Sequence, residues 1–233
     1  MIDTKYEQKT VGQIVAENFR TAEVFKSAGI DFCCGGNKTL DESCIELGIH
    51  QESLLRMIEE VQLIKPDYAH NYNEWEISFL ADYIRNTHHE YVKNNILQIK
   101  GYTTKISNVH GQNHPELIEI AILFEKIYEE LSQHLINEEN VLFPAIKEIV
   151  KSGSGDAGKI IKSEIERMNG EHEFAGSSMD RIKKLSKGYI LPEDACPTYR
   201  LAYKYLSEFE EDLHVHVHLE NNILFPKALQ LTN

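Results

Sequence analysis

Apolar residues recur at helical spacing along most of the 233-residue chain, and the pattern changes near residue 65. Ahead of that point the apolar clusters are short and closely punctuated. Thr10 with Gln13, and Thr39 with Glu42, fit capping boxes, in which two side chains three residues apart satisfy each other's backbone N–H groups at a helix start. Gly29 and Gly48 stand where glycine ends a helix. Short helices are therefore expected over 21–28, 40–47 and 51–63. Between the first two lies GIDFCCGGNK, a glycine-rich turn with adjacent cysteines, and IKPDYAHNYN interrupts the pattern with Pro66 and polar residues. The expected organisation is an N-terminal helical domain at 1–64, a linker at 65–73 and a second domain at 74–233. In the second domain, helical periodicity predicts four long segments, at about 74–100, 115–150, 158–186 and 198–229. Strand signals are weak, since the alternating HVHVH lies between helical flanks. The fold class is all-α, an antiparallel four-helix bundle. Pro144 and Pro226 predict a kink or a stop near the ends of the second and fourth helices.

A repeat runs through this bundle. HLINEENVLFP begins at His134 and HVHLENNILFP at His216. The glutamates Glu138 and Glu220 are separated by the same interval as those two histidines. Residues three or four apart share a helix face. On that basis Phe124, Leu131, His134, Glu138 and Leu142 form one stripe, and Phe209, Leu213, His216, Glu220 and Leu224 form its counterpart. In the first helix Ile77, Leu80, Ile84, His88 and Tyr91 align, so His88 is the inward candidate. His89 falls on a largely polar face and is the fallback. In the third helix Ile165, Met168, His172, Gly176 and Met179 align, and His172 follows His88 by nearly the same interval. His214 and His218 turn toward polar neighbours. The bundle reads as a helix pair used twice.

A single histidine on an apolar face is more often a hydrogen-bonded core residue than a ligand, and one His-x-x-x-Glu is a common surface pair. Two such pairs facing one interior are different. Burying two carboxylates without countercharge costs on the order of several kcal/mol per ion, and cations at the centre remove that cost. Imidazole with carboxylate suits iron, manganese or zinc. Six donors exceed the needs of one tetrahedral zinc. They suit two metals, each with two histidines and both sharing two glutamates, with open positions for small ligands. Composition narrows the partners: 24 basic against 37 acidic residues give a net charge of −13, which disfavours nucleic acid and anionic membranes. A polar start and the lack of a long apolar run predict an unexported cytoplasmic protein with no membrane span. Four cysteines, Cys33, Cys34, Cys44 and Cys196, do not make a disulfide scaffold.

CCGG, then His-His-x-Tyr, then two copies of His-x-x-x-Glu-x-x-x-Leu-Phe-Pro together resemble the Repair of Iron Centres family over nearly the whole chain. That family joins an ScdA-type N-terminal domain to a hemerythrin-like bundle. The resemblance implies an oxo- and carboxylate-bridged pair of iron ions held by His88, His134, Glu138, His172, His216 and Glu220. It also implies a nearby carboxylate at Glu171, and a redox or iron-transfer role for Cys33 and Cys34. The implied function is repair of iron–sulfur clusters damaged by nitrosative or oxidative stress, by iron donation to iron–sulfur proteins. Alternatives are a nitric oxide-reducing enzyme, or a module binding oxygen or iron. Whether the centre turns over catalytically, and whether the chain forms a homodimer, the sequence leaves open. The chain departs from oxygen-carrying hemerythrins at Gly176, where those have a further histidine, and at Glu220, where they use aspartate at a longer spacing. Fewer histidines favour iron release over oxygen storage. Without the resemblance, Cys33 and Cys34 read equally well as small buried hydrophobes in a turn, and Cys44 and Cys196 read as structural.

Overall fold

The computed structural model describes residue 6 and residues 9–63, 71–153 and 155–232. Most of the expected linker, residues 64–70, lies outside them. Among the described residues there is no strand, and a lone bridge joins Thr10 to Thr39. Four short helices come first: α1 (Val11–Glu17), α2 (Thr21–Ser27), α3 (Leu40–Leu47) and α4 (Gln51–Gln62). Both capping boxes form, at Thr10/Gln13 and Thr39/Glu42. Gly48 takes the left-handed conformation (φ 67°) that ends α3, a conformation most side chains resist.

The bundle follows as four rods. The first is α5 (Ile77–Ile84) and α6 (Glu90–His110), joined by a π turn at Arg85–His89. The second is α7 (Glu116–Asn137) and α8 (Phe143–Ser152), joined by a π turn at Glu138–Leu142. The third is α9 (Asp156–Leu185), unbroken. The fourth is α10 (Pro197–Leu219) and α11 (Phe225–Gln230), joined by a π turn at Glu220–Leu224. The first rod packs on the second and fourth, and the third rod also packs on the second and fourth.

Pro144 and Pro226 neither end nor break their rods. Each follows a π turn and occupies the second position of the helix that resumes. Proline lacks the N–H that an interior helical position would donate. The preceding turn has already changed the hydrogen-bond register: Phe143 donates to Glu138 O, and Phe225 to Glu220 O, five positions back. The loss is absorbed where the ladder is already loosened.

The interior divides into two apolar clusters. One contains Ile84, Leu142, Phe143, Ile165, Met168 and Phe225. The other contains Ile96, Phe124, Leu131, Met179, Phe209 and Leu213 and continues into the N-terminal helices through Phe25 and Leu54. A layer of buried polar residues, including His89, His134, Glu138, His172, His216 and Glu220, separates them along the rods.

The N-terminal helices rest on the bundle where the fourth rod makes its π turn, with α1 against Glu220–Leu224. Asn222 is the fastening point. Its amide donates to Phe32 O at 3.1 Å and lies 3.1 Å from His218 Nδ1. Two glycines allow this approach, because a Cβ at Gly12 would lie 2.0 Å from Asn222 Oδ1 and one at Gly36 would lie 2.8 Å from the same atom, and 2.5 Å from Phe32 O. The polar setting expected for His214 holds, beside Glu210 and Asp180, whereas that expected for His218 is corrected. His218 is fully buried, its ring 5.9 Å from Phe19 and 5.6 Å from Phe32, and burial pushes it down to about 4. His214 lies 6.1 Å from Phe32. Their face of α10 is covered by the other domain, which helical periodicity within α10 does not reveal.

Gly36→Ala forces its new methyl against backbone, so it is expected to cost about 1–3 kcal/mol. Thermal unfolding should register a lowered midpoint, and Cys33 should become more reactive toward a thiol reagent as the seat on Asn222 loosens.

Candidate metal centre

Six side chains from all four rods meet in the polar layer. His89, His134, Glu138, His172, His216 and Glu220 are each 0–1% exposed. They form two overlapping groups, His89–Glu138–His216–Glu220 and His134–Glu138–His172–Glu220, with candidate ligand atoms in each group within 4.8 Å of one another. Both glutamates belong to both groups. Glu138 Oε2 lies 3.2 Å from His89 Nε2 and 3.2 Å from His134 Nε2. Glu220 reaches His216 Nε2 at 3.1 Å through Oε1 and His172 Nε2 at 3.3 Å through Oε2.

Five of these residues are those the helical stripes singled out, and the sixth is a correction. The stripe in the first rod selects His88, whereas the structure turns His89 to the glutamates. The cause is the π turn at Arg85–His89, which inserts one residue into the register. The inward position after buried Ile84 therefore falls five places on. His88 instead places Nδ1 2.9 Å from Asp212 Oδ1 and stacks on His216 with ring centroids 5.6 Å apart. Nothing in the pattern of the first rod marks the π turn.

The two halves repeat in space as they do in sequence. Phe143 stacks on His89, and Phe225, its counterpart in the second copy of the motif, stacks on His172. Glu139 accepts from His89 Nδ1 at 2.9 Å, and its counterpart Asn221 accepts from His172 Nδ1 at 2.8 Å. These two outer acceptors escaped the sequence reading, although both sit inside the repeated motif, directly after its glutamate. Glu171 lies 2.6 Å from His134 Nδ1 and is itself held by Arg167 at 2.6 Å. An imidazole that donates through Nδ1 to an outer oxygen presents the lone pair of Nε2 inward, the usual arrangement behind a metal-binding histidine.

The donor set fits cations. His89 Nε2, both Glu138 oxygens and Glu220 Oε2 are buried without a hydrogen-bond partner among the described residues. Glu138 Oε2 lies 3.2 Å from two imidazole nitrogens, yet not along a hydrogen-bonding direction. Atoms so placed converge on shared points between them rather than on one another. No Lys or Arg reaches either glutamate among the described ion pairs.

The two glutamates and the imidazoles around them shift one another's proton affinities. Burial alone would lower His89, but Glu138 and Glu220 outweigh it and raise it to about 9. Burial likewise opposes His134, which Glu138 and Glu171 bring up to about 10. Burial and the neighbouring Glu220 push Glu138 upward, and His134 and His89 overcome both to hold it at about 2. His216 lies below its ordinary value because burial exceeds the pull of Glu220.

The cysteines stand beside the centre. Cys33 is buried and its thiol donates to Asp31 Oδ1 at 3.0 Å. Its neighbour Cys34 and burial hold it well above the usual thiol value, so it rests as a thiol. Cys34 donates to His172 O at 3.2 Å. Gly176 makes room for it, since a Cβ there would lie 2.8 Å from Cys34 Sγ. Gly176 is thus the notch that admits a thiol. Both cysteines line a cavity of about 620 Å³ with Asp31, Glu173 and Asn221. Cys44 is buried, and Cys196 lies 3.2 Å from His110 Nε2.

Because His89 and His134 gain protons on folding, the metal-free protein draws stability from them below the ordinary imidazole value of about 6.5 and loses it as pH rises through about 9 to 10. Thermal unfolding of the metal-free form should show a falling midpoint across that range. An unchanged midpoint would mean the two imidazoles are neutral throughout.

Comparison with known proteins agrees with both halves of this picture. Residues 7–62 match ScdA_N, a domain of unknown function, and residues 80–228 match the hemerythrin HHE cation binding domain. The chain is 30% identical over 223 residues to the iron-sulfur cluster repair protein ScdA of Staphylococcus epidermidis, covering 95% of this chain and 98% of that one. It is 32% identical over 222 residues to ScdA of Staphylococcus haemolyticus, covering 94% and 97%. Against the iron-sulfur cluster repair protein YtfE of Pectobacterium atrosepticum it is 32% identical over 225 residues, covering 97% and 98%. No described helix is long and apolar enough to cross a membrane. With both domains matched and relatives aligned nearly end to end, this chain belongs to the ScdA/YtfE family, which couples an ScdA_N domain to a hemerythrin HHE cation-binding domain.

Proposed function

We propose that this protein restores iron–sulfur clusters damaged by nitrosative or oxidative stress, by donating iron from a di-iron centre. The observation that carries this reading is the pair of fully buried glutamates, each belonging to both histidine groups, with three of their four oxygens unpaired. In this reading His89 and His216 hold one iron, His134 and His172 hold the other, and Glu138 and Glu220 bridge them. The bound pair supplies redox-active iron with open positions. The names of the relatives supply the target class, and iron–sulfur proteins are the acceptors.

The surrounding residues favour a centre that can give up its metal. Each iron has only two imidazoles besides the shared carboxylates. Without metal the two glutamates still face four imidazoles, so the empty site is not a pair of naked buried carboxylates. In this reading Cys34 receives iron on its way out, which its contact with the carbonyl of His172 and its position on the 620 Å³ cavity support. Asp31, in contact with the Cys33 thiol, adds a carboxylate at the same spot.

Two measurements test this. Iron analysis of the purified protein should give about two irons per chain, and Glu138→Leu or Glu220→Leu should bring that to one or none. His89→Ala should lower iron content at least as strongly, whereas His88→Ala should retain most of it. The second measurement is transfer: the iron-loaded protein, with a reductant, should reactivate a dehydratase whose cluster has lost iron, and Cys34→Ser should slow that reactivation. Iron that stays bound through reduction, with no recovery of the acceptor, would refute donation. Catalytic consumption of nitric oxide under the same conditions would favour the reductase alternative.

A further inference from the structure

The duplication of the centre is imperfect at one place, and the imperfection falls on the outer partners of the imidazoles. When the two halves of the repeat are paired, His89 corresponds to His172 and His134 to His216. By the same pairing Glu171, directly before His172, corresponds to His88, directly before His89. Three of the four imidazoles have an oxygen behind them: His89 has Glu139, His172 has Asn221 and His134 has Glu171. His216 has none, and its Nδ1 is buried without a partner among the described residues. Where Glu171 would stand in the other half, His88 stands instead, stacked flat on His216 with planes 8° apart. His88 Nε2 is itself buried without a partner among the described residues, so it does not anchor His216 Nδ1. The carboxylate best placed to compensate is Asp212, one helical turn before His216, and its Oδ1 is engaged by His88 Nδ1 at 2.9 Å.

Around His216 the structure therefore holds a small reservoir of unsatisfied groups. His216 Nδ1, His88 Nε2, Asp212 Oδ2 and Tyr91 OH are all buried and, among the described residues, unpartnered. Buried polar atoms left in this state are ordinarily bridged by water. Behind His134, by contrast, stands an ion-paired chain: Arg167 anchors Glu171, and Glu171 anchors the ring. Outer partners of metal-bound histidines commonly change metal affinity by about 10- to 100-fold.

We infer that the two metal positions are unequal: the His134/His172 position binds first and holds its iron, and the His89/His216 position fills second and is the one that empties. This rests on the di-iron reading above and says which of the two irons is the cargo. His88 and Asp212 are then positioning residues, which leave His216 Nδ1 without an outer anchor and so keep one position exchangeable.

The test is anaerobic titration of the metal-free full-length protein with ferrous iron, followed by native mass spectrometry and calorimetry. A one-iron species should dominate at one equivalent, with the second iron bound about 10- to 100-fold more weakly. His216→Ala should keep one iron at near wild-type first-step affinity, whereas His134→Ala should lose the tight step. Glu171→Gln, a milder change on a partly exposed residue, should weaken the first step by about tenfold and leave the second unmoved. Circular dichroism melts identify any variant that fails to fold, and the wild-type and Glu171→Gln titrations decide the question without it. The inference is overturned if both irons enter together with no one-iron species, or if His134→Ala retains a tight iron that His216→Ala does not. Fewer than two irons at saturation would refute the di-iron reading itself, an outcome distinct from two equal irons.

Discussion

Two carboxylates sealed inside a helical bundle govern this molecule. Glu138 and Glu220 are wholly removed from solvent, and isolated charges in such a place would cost more than the fold could sustain. Everything near them answers that demand. Four imidazoles surround them, outer oxygens orient three of those rings, and apolar clusters close the layer from both ends. The imidazoles and glutamates together form two overlapping donor groups that could hold cations.

The helical interruptions belong to the same design. The three π turns among the described residues all lie at the polar layer, one in each of three rods, and each contains or begins with a residue of the centre. A regular helix returns to the same face after three or four residues. A π turn delays that return by one, which lets Glu138 face the centre while Phe143, five positions on, stacks against His89. The same device places Glu220 and then Phe225 against His172. The prolines that follow suit a ladder already loosened at that point. Weakened backbone hydrogen bonding thus coincides with the residues that carry the chemistry.

The N-terminal domain is part of the site rather than an appendage to it. Asn222, close after Glu220 in the chain, fastens the turn that carries the cysteines, and Gly176, one turn after His172, leaves room for the Cys34 thiol. Closeness of this kind needs absent side chains as much as present ones. Gly12, Gly36 and Gly176 each stand where a Cβ would collide with the partner domain.

Much of this was legible in the chain. The repeat of His-x-x-x-Glu-x-x-x-Leu-Phe-Pro marks two related helices and brings four centre residues into view, because helical spacing alone puts a histidine and a glutamate four apart on one face. His172 follows from the same periodicity, and the capping boxes fixed two helix starts by local hydrogen bonding. What escaped was decided across the fold. His89 replaces His88 because a π turn shifts the register, and that turn is stabilised by packing and by its partners on other rods rather than by any local signature. The burial of His218 is hidden along α10 because the residue that covers it, Phe32, belongs to the other end of the chain. The unequal backing of His134 and His216 arises likewise only when separate rods meet. Periodicity determines which residues of one helix can face inward together, whereas only tertiary packing determines what stands behind them.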